Sequence, residues 1–399
     1  MRHSCSIRRW AACGAILTAA ACREDSALPT GPREPAGPEA ASSPAPLVFR
    51  YISAGSGHTC GVTTTNKLYC WGDNFLGQLG DGTRTNHPVP TPVKSTFSWR
   101  NVSAGQDYTC AETTDDRAYC WGYSIYGRVG DGSQSQIITE PVAVLGDHRF
   151  RLVRAGVFHT CGITRLNVAY CWGRNDFYQL GDGTKIKNAR PVRLLKDLQW
   201  RWISPGQYHT CGVTTDSKAW CIGRNFEGQL GTGTGGKTLA QVVGGIAWAH
   251  VESGYFHTCG VTQAHVAYCW GQDWGGNIGD GIAPLTPRPR PVQVSGGLRF
   301  NQIVAGEFDT CGVTTDQRGY CWGLNAAGDL GNGTTSRSLV PVAVGGNLTL
   351  ARITLGERHA CGVTTAGKGY CWGEGRLGQI GDGALAQRLL PSPVTAPAN

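Results

Sequence analysis

The sequence predicts an all-β protein: a seven-bladed β-propeller with four antiparallel strands and one disulfide in each blade. Three observations predict it. Two cysteines with nine residues between them recur seven times: Cys60 with Cys70, Cys110 with Cys120, Cys161 with Cys171, Cys211 with Cys221, Cys259 with Cys269, Cys311 with Cys321 and Cys361 with Cys371. Successive first cysteines lie 50, 51, 50, 48, 52 and 50 residues apart, and units sharing one such period stack into one continuous architecture. The composition, with 58 glycines and 16% charged residues, suits turns and strands. No stretch after residue 30 shows apolar spacing at three and four residues over a helical length, so helix should be nearly absent.

Each unit divides into four short segments. In the first, FRYISAG from Phe49 is a strand ending in small residues, and HTCGVT is a second. A polar turn follows, then LYCWG as a third strand and the long glycine-rich loop DNFLGQLGDGT. Pro88 to Val93 gives a fourth strand of edge type, where proline costs no inward ladder bond. Later units keep this segment as PVAV (141–144), PVRL (191–194), PVQV (291–294), PVAV (341–344) and PSPV (391–394). Four strands repeated seven times describe a propeller.

The cysteine spacing follows from the hairpin. With a three-residue turn, 63 pairs with 67, 62 with 68, 61 with 69 and 60 with 70. Opposed residues at a non-hydrogen-bonded site have Cα atoms roughly 4.5 Å apart, close enough for a disulfide. The same separation in every unit predicts the same bridge in every blade, so that Cys120, Cys171, Cys221, Cys269, Cys321 and Cys371 each join the cysteine ten positions before them. Each bridge, closing so short a loop, should constrain the unfolded chain by about 2–3 kcal/mol. Zinc is the alternative for fourteen thiols, but the close Cys-x-x-Cys approach is missing.

G-x-x-H-T-C-G-V-T-T-D followed by Y-C-W-G-x-N-x-x-G-Q-L-G-D-G resembles the RCC1 (regulator of chromosome condensation) repeat. The resemblance runs from Phe49 to about Val394 in all seven units. It implies a seven-bladed propeller of RCC1 type, in a family that includes exported bacterial binders such as β-lactamase-inhibitory protein II. Departures are local: WCIG places Trp220 and Ile222 where tyrosine and tryptophan usually stand, unit five has GGNIGDG, and Asp309 replaces a histidine. Eukaryotic members include a guanine-nucleotide exchange factor acting partly through a wedge inserted in one blade. The even spacing here leaves no room for such an insertion, so exchange-type regulation is a weaker alternative.

The N-terminus is organised differently. Arg2, His3, Arg8 and Arg9 precede an apolar run from Trp10 to Leu17, and LTAAAC leads to Cys22. A basic start, a short apolar segment and small residues describe a secretory signal over 1–21, too short to span a bilayer. The context resembles a bacterial lipobox, with Ala19 where leucine is commonest. With Cys5 and Cys13 lost in the signal and fourteen cysteines paired, Cys22 stands alone among 17, and lipidation explains an odd cysteine. Cleavage without lipid is the alternative. Residues 22–47 contain six prolines and read as an extended tether, leaving 48–399 as the propeller. The expected location is a bacterial cell envelope, periplasmic or surface, or outside the cell. The formal charge of +8 falls to +5 once the signal's three arginines leave. No basic block marks nucleic acid as a partner.

Candidate chemistry is sparse. Histidines precede Thr-Cys or Ala-Cys at His58, His159, His209, His257 and His359, with Tyr108 and Asp309 at the other two places. Blade spacing would keep such a ring too far apart for one zinc shell, so bonding to nearby loop backbone is the expected role. Asp-Gly at Asp81, Asp131, Asp182, Asp280 and Asp382 reads as turn chemistry, because a calcium loop needs ligands at alternate positions where Leu79, Val129 and Leu180 intervene. Asn74, Asn175, Asn225 and Asn325 suit a positive-φ bend. No nucleophile elbow, phosphate loop or HExxH is present. The expectation is a non-enzyme with no cofactor and no metal.

What varies inside the fixed frame is more informative. The loops joining strands one to two and three to four open on one face. They carry Phe75, Tyr126, Phe158, Phe177, Tyr208, Phe226, Tyr255, Phe256, Trp274 and Phe308. Recurrent loop aromatics point to a partner surface, unless some fold inward as plugs. A protein partner bound by a monomer is the first reading, with membrane contact only through the lipid. A glycan is the second, on the same aromatic face, and a propeller enzyme with polar groups at the shaft mouth the third. Lys67, Arg117, Lys218 and Arg318 mark the turns of the opposite face.

Overall fold

The computed structural model describes residues 46–396, apart from 134, 195–196, 234–238 and 284. The signal, the lipidation at Cys22 and nearly all of the tether lie outside the described residues. In the first blade β1 spans Phe49–Ala54, β2 His58–Thr63, β3 Leu68–Gly72 and β4 His87–Pro92. They form one antiparallel sheet in sequence order. The same plan repeats to the seventh blade, whose strands are Leu350–Leu355, His359–Thr364, Gly369–Gly373 and Arg388–Pro393. The architecture is a seven-bladed all-β propeller. A 3₁₀ turn at Ile125–Gly127 is the sole helical element among the described residues.

The register is the one the turn dictates. Cys60 opposes Cys70 and Gly61 opposes Tyr69, while Thr63 N–H donates to the Lys67 carbonyl at 2.9 Å. That bonded 63/67 pair puts 60/70 at a non-hydrogen-bonded site, three residues along the strand and so on the other kind of pair. Every expected bridge is present. Cys60 is joined to Cys70, Cys110 to Cys120, Cys161 to Cys171 and Cys211 to Cys221. Likewise Cys259 is joined to Cys269, Cys311 to Cys321 and Cys361 to Cys371. Their Cα atoms lie 4.0–4.1 Å apart, slightly closer than the roughly 4.5 Å of an unbridged pair. Asn66, third in the turn, takes φ 63°, which closes the hairpin and sets its register.

Blades are glued to their neighbours by tryptophan. Trp71, Trp121, Trp172, Trp270, Trp322 and Trp372 of the third strands are fully buried. One core cluster joins Val62 and Leu68 of blade one to Trp99 and Trp121 of blade two. Truncating such an indole to alanine typically costs about 3–5 kcal/mol. Gly80, at φ +71°, shows why the loop frame is fixed: a Cβ there would sit 2.5 Å from Trp121 Nε1. Ile222 replaces the fourth indole and stays buried in the same kind of cluster.

Among the described residues no strand is exchanged to close the ring. Blade seven packs Cys361, Val363 and Ile380 directly on Phe49, Ile52 and Trp71 of blade one.

Candidate binding face

Beneath the loop face, neighbouring blades are fastened by a repeated side-chain bond. His58 Nε2 lies 2.9 Å from Thr109 Oγ1 in the next blade, and Thr109 donates its own proton to the Gln78 carbonyl at 2.9 Å. The histidine must therefore donate from Nε2, which leaves Nδ1 bare. That nitrogen has no hydrogen-bond partner in any of the five histidines. The bond recurs as His159–Thr210 at 2.7 Å, His209–Thr258 at 2.9 Å, His257–Thr310 at 2.9 Å and His359–Thr59 at 2.8 Å. Tyr108 replaces it in blade two, its hydroxyl 2.9 Å from Thr160 Oγ1. Burial lowers the pKa of each of the five rings to about 3.

This corrects the expectation that the histidines bond nearby loop backbone. The partner is a hydroxyl in the neighbouring blade, reached across the ring rather than along the chain. The frame asparagines are also corrected, since none of the four takes positive φ. Instead their side chains span the loop: Asn74 Oδ1 accepts Leu79 N–H at 3.0 Å, Asn175 accepts Leu180 at 3.0 Å, Asn225 accepts Leu230 at 2.9 Å and Asn325 accepts Leu330 at 2.9 Å. Asp-Gly does make turns. Asp81 Oδ1 accepts Thr83 N–H at 2.8 Å, and Gly82 follows at φ 86°.

The junction between blades six and seven lacks the fastening. Asp309 stands in the histidine place and Ala360 in the threonine place. Asp329 replaces the glutamine of the Gly-Gln-Leu-Gly loop. The backbone is unchanged, and Trp372 Nε1 still donates to the Asp329 carbonyl at 2.8 Å. Asp309 Oδ1 and Asp329 Oδ1 are buried without a hydrogen-bond partner. Burial raises both pKa values, Asp329 to about 7 and Asp309 well above the ordinary carboxylate range, with the neighbouring Asp329 charge adding to the latter.

Above these junctions the loop aromatics form an arc. Ring centroids lie 6.1 Å apart for Tyr126–Phe158, 5.4 Å for Phe158–Tyr208, 5.2 Å for Phe256–Trp274 and 5.8 Å for Trp274–Phe308. Arg224 bridges the gap between Tyr208 and Phe256, at 5.8 and 5.4 Å from their centroids. Arg174 sits over Tyr126, Phe158 and Tyr208. Phe177 reaches both Tyr208 and Phe226. The arc thus crosses blades two to six, with Phe226 75% and Trp274 53% exposed. Phe75, 65% exposed, stands apart under Arg84. Tyr255 is half-buried and lines the shaft mouth, where Glu357, Glu307 and Asp107 add to burial in raising its pKa. It is the one candidate that turns inward.

The shaft is a cavity of about 440 Å³ walled by the first strands of all seven blades. Its polar groups tie blades together. Arg154 donates to Tyr51 Oη at 2.9 Å and lies over Trp202, Ser204 donates to Glu252 at 2.9 Å, and His250 Nε2 accepts Ile303 N–H at 3.3 Å. Glu112, a buried acid overlooked in the sequence, occupies the place of Val62 and accepts Val153 N–H. No nucleophile is paired with a base in this set. Among the described residues, no three His, Cys, Asp or Glu side chains form a group that could hold a metal ion.

Two sequence patterns of the regulator of chromosome condensation (RCC1) repeat match this chain, one at 49–78, 150–179 and 203–229, the other at 66–111, 115–163, 168–213 and 318–363. Together they cover more than half of it. The chain belongs to the RCC1 repeat family. The human E3 ubiquitin-protein ligase HERC2 is 26% identical over 143 residues, 35% of this chain and 3% of that protein, so the RCC1 chain spans only a small fraction of that relative's length. Among solved structures, human WBSCR16 superposes with TM-score 0.74 at 19% identity, covering 83% of this chain and 94% of that one. Yeast RCC1 (Prp20) bound to Kap60 gives 0.73 at 14% identity, covering 93% and 91%. At these identities the likeness is one of fold. The seven disulfides of this RCC1 propeller suit an oxidising compartment rather than the cytosol. Among the described residues no helix is long and apolar enough to cross a membrane.

Proposed function

We propose that this propeller is an exported, lipid-anchored scaffold that binds a protein through the loop face carrying the aromatic arc. The observation that carries the reading is the continuity of that arc, in which arginines fill the gaps between rings from blade two to blade six. Aromatic and arginine side chains dominate the energetics of protein interfaces, and single-blade structural needs do not ask for them at varying loop positions. The opposite face is different in kind. There Lys218 pairs with Asp216 at 2.8 Å and Arg117 with Asp115 at 3.2 Å, so each of these turns satisfies its own charge. Fold relatives support a binding role: yeast RCC1 has been crystallised with Kap60, and the Prp20p structure is described together with binding to Gsp1p and histones. The disulfides support export, and Cys22 supplies the anchor with 23–47 as its spacer. A binding role leaves no catalytic step to assign.

A glycan is the second reading, favoured by the exposed Trp274 indole. Affinity capture from envelope extracts, with the propeller as bait, tests the first. Tyr208→Ala or Trp274→Ala should weaken capture at least ~10-fold, since one hot-spot ring is worth about 1.4 kcal/mol or more. Lys67→Ala and Lys218→Ala should leave it unchanged. Loss in the turn variants alone identifies the opposite face as the binding surface, and binding on a glycan array without protein capture selects the glycan. The intact mass of the mature protein reads the anchor: a start beyond residue 22, or an unmodified Cys22, removes it.

A further inference from the structure

At the unfastened junction, three substitutions act together. Asp309 and Ala360 are shorter than the histidine and threonine they replace, and Asp329 is shorter than the glutamine. A cavity of about 330 Å³ lies at this junction, with Asp309 and Asp329 in its lining and Glu307, Glu357 and Phe308 around them. Asp309 is 3% and Asp329 7% exposed, and each has an Oδ1 that meets no donor. Buried carboxylate oxygens without donors are rare and costly, and they call for a cation or a ligand. The one cationic group in the lining is Arg358, which is exposed and directed to Glu374 at 3.7 Å. Glu357 is held by Ser56 Oγ at 2.5 Å. Arg358 thus acts on Asp329 through its charge alone, and neither Oδ1 on the cavity floor receives a hydrogen bond.

We propose that this cavity binds a lysine or arginine side chain, with Asp309 and Asp329 as its counter-ions and Phe308 as an aromatic wall. A dedicated divalent-metal site is disfavoured, because the described residues hold no group of three ligating side chains. An organic cation needs fewer converging oxygens and gains from a ring face. Phe308 is also the end of the aromatic arc, 5.8 Å from Trp274, so the arc runs up to the cavity that Phe308 lines. That the side chain comes from a bound protein rests on the binding role proposed above; the chemistry of the cavity does not.

The test uses the whole propeller and small probes. Titration with Nα-acetyl-lysine methylamide and Nα-acetyl-arginine methylamide at pH 8 should saturate at least one of them. The uncharged norleucine analogue should not bind. Asp309→Asn/Asp329→Asn should weaken the cation at least ~10-fold, with melting temperature kept or raised as proof of folding. Binding that survives the double substitution, equal binding of norleucine, or saturation by calcium chloride with neither amino-acid probe would overturn the assignment. Cation binding that persists while Trp274→Ala and Tyr208→Ala leave protein capture intact would sink the aromatic interface and spare the cavity.

Discussion

Six blade junctions carry a neutral, buried hydrogen bond from one blade's ring to the next blade's hydroxyl, and the junction of blades six and seven carries two acids facing a cavity. The backbone frame is the same in both, and Trp372 Nε1 bonds the Asp329 carbonyl beneath just as Trp71 Nε1 bonds the Gln379 carbonyl at a fastened junction. The difference teaches that the tryptophan and glycine packing suffices to hold two blades together. The side-chain bond above it is an addition that can be given up, and where it is given up two acids line a cavity.

The largest expected difference comes from truncation. His209→Ala removes a fully buried ring and its bond to Thr258, which should cost about 2–4 kcal/mol in denaturant unfolding. Asp309→Ala should cost less than about 1 kcal/mol or stabilise at pH 7, because it deletes an unpaired buried acid. Equal losses would break the contrast.

Acidity should separate the two kinds of junction further. The histidines have folded pKa values of about 3 against 6.5. Their contribution is complete above pH 6.5 and is lost as pH falls toward 3, because the unfolded chain then binds more protons. The acids run the other way. Their folded pKa values are raised, Asp329 from 3.8 to about 7, so their contribution is complete below about pH 3.8 and is lost as pH rises through 7. Asp309→Asn should therefore leave stability unchanged at pH 4 and raise it at pH 8. A gain independent of pH would contradict this.

The smallest effect is that of repair. Asp309→His, Asp329→Gln and Ala360→Thr together rebuild the missing bond and should add about 1 kcal/mol beyond the Asp309→Asn gain, read from thermal unfolding. The rebuilt junction should also lose its affinity for the blocked amino acids. A triple variant less stable than wild type would show that this junction has diverged in backbone as well as side chain.

The strands and the disulfide register were legible because both are local. A turn at residues 64–66 decides what faces Cys60, and the recurring period carries the same choice to Cys120, Cys171, Cys221, Cys269, Cys321 and Cys371. The fastening was not read from the sequence, because His58 finds its partner in another repeat. The signal was nonetheless present. Histidine and threonine are adjacent in His-Thr-Cys; where tyrosine replaces the histidine, at Tyr108, the next unit keeps Thr160, whereas the unit with Asp309 is followed by the one that loses threonine, at Ala360. Glu112 went unseen because one acid in a strand looks like a solvent-facing residue until its neighbours are known. The aromatic loops were recognisable by kind. Their merger into one arc was not, since it depends on Arg174 and Arg224 lying between rings of different blades.

The contiguity of each blade has a consequence for biogenesis. Every disulfide joins a cysteine to the next one in the chain, ten positions on, and no strand waits for a distant segment to complete its sheet. When such a chain enters an oxidising space from its N-terminus, the second cysteine of each blade meets one free propeller thiol ahead of it, its native mate. Oxidation in order of arrival is then also correct pairing, and the molecule matures without reshuffling its bonds.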